Sequence, residues 1–249
     1  MSLWDELPSL EAAARRELPA ADPAILALSA EDRAAVAELW ASRARSEIGA
    51  GAVFAAVARG LFMEGGGAVP HELLWLASRA VCDELRHADI CRYVASRYGT
   101  ETPPRAAPPT IAEPPFGRGI HAVLNSAINE TIGSAFLSAC LDEAEGILAR
   151  AALRELLTDE MDHARLGWAL LATAGLGGAM RSEVEGRVPE LIHIARRAWS
   201  VRAAELPEDL PRGHGCLPRA EVLRVVEIAI REVILPGFEH LGLRARGPV

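Results

Sequence analysis

Two stretches of this 249-residue chain place a glutamate three residues ahead of a histidine within a shared pattern, Asp83-Glu84-Leu85-Arg86-His87-Ala88 and Asp159-Glu160-Met161-Asp162-His163-Ala164. On a helix, side chains three apart share a face, so each pair can grip one cation with a carboxylate and an imidazole. A third Glu-x-x-His, Glu190 with His193, has the spacing but neither the leading Asp nor the trailing Ala. It shows how little the spacing means alone. The two full copies also share a setting: each follows a segment with one glutamate among small residues, Glu47-Ile-Gly-Ala-Gly51 and Glu130-Thr-Ile-Gly-Ser134. Four carboxylates and two imidazoles turned into one apolar interior repel one another unless cations join them. Two divalent ions offset most of that charge. Oxygen-rich ligation with one imidazole per ion suits iron or manganese better than zinc.

The elements that must position these residues follow from punctuation. Ser29 with Asp32 starts a helical pattern running to about Glu64, which Gly65-Gly66-Gly67 breaks. Pro70 opens a second helix that Gly99 stops, and residues 100–117, with Pro103, Pro104, Pro108, Pro109, Pro114 and Pro115, form an extended connection. A third helix is expected over about 118–145, a fourth over 149–174, and two more over 178–205 and 219–240; residues 1–28 suggest a short helix and a lead-in. Short turns within each helix pair force antiparallel neighbours, so facing ligands should be equidistant from their turn. The midpoint of Glu47 and Glu84 falls between residues 65 and 66, and that of Glu130 and Glu160 is residue 145, beside Gly146. All four glutamates therefore share one height.

This set resembles the ferritin-like di-iron carboxylate superfamily, in which two helices give one Glu each and two others give Glu-x-x-His. The resemblance covers about residues 30–175. It implies an all-α, ferritin-like four-helix bundle with a long crossover between two antiparallel pairs, followed at 176–249 by a helical extension of the same domain. It carries over Glu47, Glu84, His87, Glu130, Glu160 and His163 as metal ligands. The run Asp83-Glu84-Leu85-Arg86-His87 is similar to one in soluble bacterial hydrocarbon monooxygenases. There the Asp supports a ligand histidine, so Asp83 and Asp159 are expected to orient imidazoles across the bundle. Gly51 and Ser134, one turn beyond the lone glutamates, either leave room for dioxygen or a substrate or serve close helix packing. Arg86 either pairs near the site or is solvated.

The resemblance further implies two iron ions, with Mn/Fe as a variant, and an oxidase or oxygenase that activates O2 against a small organic molecule. Its partners would include an electron-donor protein and a second copy in a homodimer. The alternative is a ferroxidase or iron-binding protein with no organic substrate. No rubredoxin-like cysteine set exists, no extra histidine lies one turn before Glu160 as in the arylamine N-oxygenase branch, and the chain outlasts an ordinary ferritin.

Composition fits. Half of the residues are hydrophobic with few aromatics, which favours helices, and a net charge of −8 offers no basic stripe for nucleic acid. Cys82, Cys91, Cys140 and Cys216 form no CxxC pair and read as reduced thiols, and the first residues lack a signal-peptide pattern. The apolar window 48–63 is interrupted by Gly and Arg, so it reads as a bundle helix and not a membrane span. A cytoplasmic protein is expected. The His214-Gly-Cys216 loop offers too few ligands for a metal, and Glu143 and Glu145 are expected in solvent near a turn.

Overall fold

The computed structural model describes residues 18–64, 69–99, 101, 103–107, 123–173, 178–207 and 209–243; the expected helix within the first residues and the start of the third lie largely outside them. The described residues are helical with no strand. The elements are α1 (Pro23–Leu26), α2 (Ala30–Glu64), α3 (His71–Tyr98), a π-helical segment (Val123–Asn129) running into α4 (Glu130–Glu143), α5 (Ile147–Ala172), α6 (Gly178–Ala204), α7 (Arg219–Ala229), a second π segment (Ile230–Ile234) and α8 (Leu235–His240).

Local chemistry sets the starts. Ser29 Oγ accepts from the Asp32 backbone N–H at 3.0 Å and donates to the Asp32 carboxylate at 2.7 Å, closing the first turn of α2. Asp22, almost wholly buried, caps two helices together. It accepts from Ala24 N at 3.0 Å in α1 and from Leu148 N at 2.9 Å in α5.

Buried positions of α3 step by four and three, through Leu73, Ala77, Ala80, Glu84, His87, Cys91, Val94 and Tyr98. That is the stripe of a bundle helix, and Glu84 with His87 takes its middle. Helices α2 and α3 run antiparallel: Gly51 lies against Glu84, and Ala37, earlier in α2, lies against Gly99, later in α3. Helices α3 and α5 are antiparallel too, since Arg79 meets Asp162 while Arg86 meets Glu155. The three-residue turn 144–146 returns α5 along α4, where Trp168 Nε1 donates to Thr131 Oγ1 at 3.1 Å. Helix α2 packs on α3, α3 on α5 and α5 on α4, while the backbones of α2 and α4 share little contact.

The apolar interior falls into two blocks. One holds Phe54, Val57, Leu73, Ala77, Ala80, Leu166 and Leu170 near the α2–α3 turn. The other fills the opposite end with residues such as Trp40, Ile90, Ile132, Leu148 and Leu156. It continues without a break into Val188, Ile192, Val226 and Phe238 of the C-terminal helices, of which α7 lies on α4 and α6 on the first π segment. Between the blocks stands the polar layer described below. The loop 209–218 closes the far end: Trp40 Nε1 donates to the His214 carbonyl at 3.0 Å, and Gly215, at φ +88°, sits so close to Trp40 that a Cβ would be 2.5 Å from its ring. By length and composition α2 could cross a membrane; here its Val36, Trp40, Phe54 and Val57 are buried within the fold.

Candidate metal centre

Six side chains from four helices converge between the two blocks. Glu47 comes from α2, Glu84 and His87 from α3, Glu130 from the junction of the π segment with α4, and Glu160 and His163 from α5. They form two groups, Glu47, Glu84, His87, Glu160 and Glu84, Glu130, Glu160, His163, and within each group one ligand atom per residue lies within 4.8 Å of the others. Glu84 and Glu160 belong to both. Their oxygens divide evenly: Glu84 presents Oε2 to His87 Nδ1 at 3.6 Å and Oε1 to His163 Nδ1 at 3.2 Å. Glu160 presents Oε1 to His87 Nδ1 at 3.3 Å and Oε2 to His163 Nδ1 at 3.2 Å. Two carboxylates each spanning two imidazoles is the layout of a pair of neighbouring cation sites.

The distal nitrogens turn outward. His87 Nε2 lies 3.2 Å from Asp159 Oδ2, and His163 Nε2 lies 3.5 Å from Asp83 Oδ2. Each aspartate thus lies beside the histidine of the opposite helix, Asp159 within hydrogen-bond distance of His87 and Asp83 farther from His163, whose Nε2 makes no hydrogen bond. With a cation bound, an acceptor at Nε2 would keep the proton there and leave the Nδ1 lone pair for the metal. Arg79 fastens the aspartates, donating to Asp83 at 3.1 Å, Asp159 at 2.9 Å and Asp162 at 3.2 Å. Arg86 bonds Asp159 and, at 3.0 Å, Glu155, so of its two readings the paired one is correct. An Asp159→Asn variant keeps the shape but weakens the hold on His87. Its affinity for a divalent cation is expected to fall about 10- to 100-fold, measured by calorimetry against an unchanged helical spectrum. Wild-type affinity would show that Asp159 does not orient the ring.

Electrostatics show how strained this layer is without cations. Glu84 and His87 are fully buried, and Glu130, Glu160 and His163 nearly so. Burial, then the neighbouring Glu84 and Glu160, drives Glu47 well above the carboxylate range, and Glu130 rises through burial and the same two neighbours. Burial alone would lower His87, but Glu160 and Glu84 lift it to about 10. His163 goes up further, because burial is outweighed by Asp83, Glu160 and Glu84. Glu160 moves the other way: burial would raise it, and the two imidazoles pull it far below the ordinary value. Both oxygens of Glu84 and Nδ1 of His87 have no hydrogen-bond partner despite complete burial. Such atoms are costly to leave unpaired. Cations held by these carboxylate oxygens and imidazole nitrogens satisfy them all, so the donor set fits a two-metal group.

Two contributors escaped the sequence reading. Asn125, in the π segment, donates from Nδ2 to Glu130 Oε1 at 3.0 Å. A five-residue separation is off-face on an α-helix but closes on a π turn, which is why the pair is invisible under helical periodicity. Arg79 had a usable signal, its spacing of four from Asp83. Space at Gly51 is taken up by packing, since a Cβ there would stand 3.2 Å from Glu84 Cβ. Ser134 keeps a buried Oγ with no partner. Glu190 and His193 are exposed on α6, and Glu190 pairs with Arg187 at 3.3 Å. His214 Nδ1 is bonded to Tyr98 Oη at 2.9 Å and Cys216 Sγ to the Pro211 carbonyl at 3.3 Å, so that loop is structural. Glu145 is exposed at the turn, and Glu143, half-buried, pairs with Arg212 at 3.3 Å. No family model, curated protein or solved structure matches the chain.

Proposed function

We propose that this chain is a ferritin-like di-iron carboxylate protein that activates dioxygen against a small organic substrate, as an oxidase or oxygenase. The observation that carries the reading is the pair of four-ligand groups sharing Glu84 and Glu160. Glu47 and His87 would complete one site, Glu130 and His163 the other. Carboxylate-rich donors with a single imidazole per ion favour iron, with a manganese–iron pair as the close variant. When bound, two ferrous ions supply electrons for dioxygen reduction; further electrons would come from a donor protein.

The chain's own residues do the rest. Asp159, hydrogen-bonded to His87 Nε2, and Asp83, 3.5 Å from His163 Nε2, would orient the imidazoles with both Nδ1 atoms aimed inward. Asn125 holds Oε1 of Glu130. Phe54, its ring 5.0 Å from His163, and the apolar blocks above and below exclude water from the layer. The loose α2–α4 side supplies the approach, with Glu47 and Ser134 half-buried along it.

Anaerobic titration with Fe(II), then mixing with air under optical and Mössbauer observation, tests the reading. Two ions per chain, oxidised together with no further uptake, are expected. Iron(III) accumulating beyond two per chain would favour the ferroxidase reading, and no binding would end both. Metal uptake should also depend on pH with a definite sign. Glu47, Glu130, His87 and His163 all have raised pKa values in the metal-free chain. Ligation requires each to give up its proton at the metal-facing atom, so loading is expected to release protons and affinity to climb with pH. Calorimetry in buffers of different ionisation enthalpy counts the protons; a count near zero contradicts the assignment.

A further inference from the structure

One turn from the metal layer lies a second unsatisfied group. Arg43 precedes Glu47 by four residues on the same face of α2, about 6 Å nearer the plugged end. Its guanidinium is 4.5 Å from the Trp40 ring centre and 5.6 Å from that of Phe136 on α4, so it lies in the seam between these helices. Nη2 donates to the Gly215 carbonyl at 2.9 Å. Nη1 is buried with no partner, and no carboxylate among the described residues pairs with Arg43. A guanidinium cannot shed its proton, so this charge is permanent; Arg43 as a whole is half-buried, but its Nη1 lacks the acceptor that an anion would supply. Its neighbours are the thiols Cys91, Cys140 and Cys216, none of which supplies that anion, since burial pushes all three thiols up.

A second orphan lies on α4: Ser134 Oγ, one turn past Glu130, is buried and unbonded. Ser134 and Phe136, like Arg43 and Glu47 on α2, are half-buried, so both helices keep some accessible surface at this height. Beyond Arg43 the seam is shut by the 213–216 loop seated on Trp40. An anion on Nη1 therefore has one direction in which to extend, toward the glutamates.

We propose that the α2–α4 seam binds a small apolar monocarboxylate, its head on Arg43 Nη1 and its chain reaching along Ser134 to the metal layer. One free guanidinium nitrogen matches a single negative charge, and the aromatic walls match a hydrocarbon body. A phosphate would need more donors than this place offers. The anion site stands on Arg43 alone; that its occupant is the substrate rests on the function proposed above.

The test uses hexanoate and its neutral counterpart hexanamide, titrated calorimetrically into the metal-free chain, so that no carboxylate can bind through iron. Hexanoate is expected to bind about tenfold or more tighter than hexanamide. Arg43→Gln is expected to erase that preference, and Arg43→Lys to keep part of it. Equal affinities in the wild type, binding of neither, or a preference that survives Arg43→Gln overturns the proposal; the last result would place the anion on the imidazoles. Should Arg43→Gln fail to fold, the wild-type comparison and Arg43→Lys still decide. Iron loading of each variant is measured separately, so loss of the metal reading and loss of the carboxylate site are distinct results.

Discussion

A Glu84→Ala variant is expected to lose both cations at once, its Fe(II) affinity dropping by well over 100-fold, more than the loss of an orienting residue causes. Glu84 is fully buried, and each of its oxygens faces a different imidazole, at 3.6 and 3.2 Å. Neither oxygen has a hydrogen-bond donor among the described residues. Glu47 and Glu130 belong to one group each, so Glu47→Ala and Glu130→Ala are expected to weaken one ion of the pair and leave the other measurable. Metal analysis after dialysis, alongside circular dichroism to confirm the helices, separates these patterns. A Glu84→Ala chain that still retains two irons would mean that the shared carboxylates do not bridge, and the ligand map would have to be redrawn.

The second large effect is structural and concerns a residue that touches no ligand. Gly167 of α5 lies under the π segment so tightly that an added Cβ would be 2.2 Å from Ala127 N and 2.7 Å from the Ser126 carbonyl carbon. Backbone cannot swing aside as a side chain can, so Gly167→Ala forces the two elements apart. A cost of about 3 kcal/mol is expected, at the upper end for overpacking. For a chain of this size that corresponds to a melting point lower by about 6–12 °C. Because the displaced segment carries Asn125, the 3.0 Å bond to Glu130 should go with it, and metal affinity should fall together with stability. Gly186→Ala is the control. Gly186 is exposed within α6, a Cβ there meets nothing within 4 Å, and the substitution should stabilise by up to about 1 kcal/mol. Equal melting points for the two variants would show that the close approach carries no strain.

Much of this arrangement was legible beforehand. Gly146 marks a turn by chain chemistry alone, and spacing put Glu84 with His87 and Glu160 with His163 on single faces; the triple glycine at 65–67 and most of the proline-rich crossover lie outside the described residues. Equidistance from the turns then set the height of all four glutamates, and the structure brings those six residues together. What stayed hidden is decided by packing. Val123–Asn129 reads as ordinary helix, and only its seat against Gly167 and the C-terminal helices accompanies the π form that brings Asn125 to Glu130. Likewise nothing local says that a loop rich in Pro and Gly should bury His214 against Tyr98 and close the bundle end. Gly51 was readable as small but not as to why. Its neighbour across the helix pair answers that.

The split of the apolar interior has a bearing on robustness. Helix α3 alone runs Leu73, Ala77 and Ala80 on one side of Glu84 and His87, and Cys91 and Val94 on the other. Were leucine and alanine to replace the six polar residues, the blocks would fuse into one unbroken hydrocarbon column, and such exchanges of buried charge for well-packed apolar groups are often neutral or favourable. The fold thus has an easy route to greater toughness that runs through sterility. With carboxylates and imidazoles at mid-height, the bare polypeptide is expected to be weakest at its waist, and ions held there would double as fasteners between the two apolar blocks.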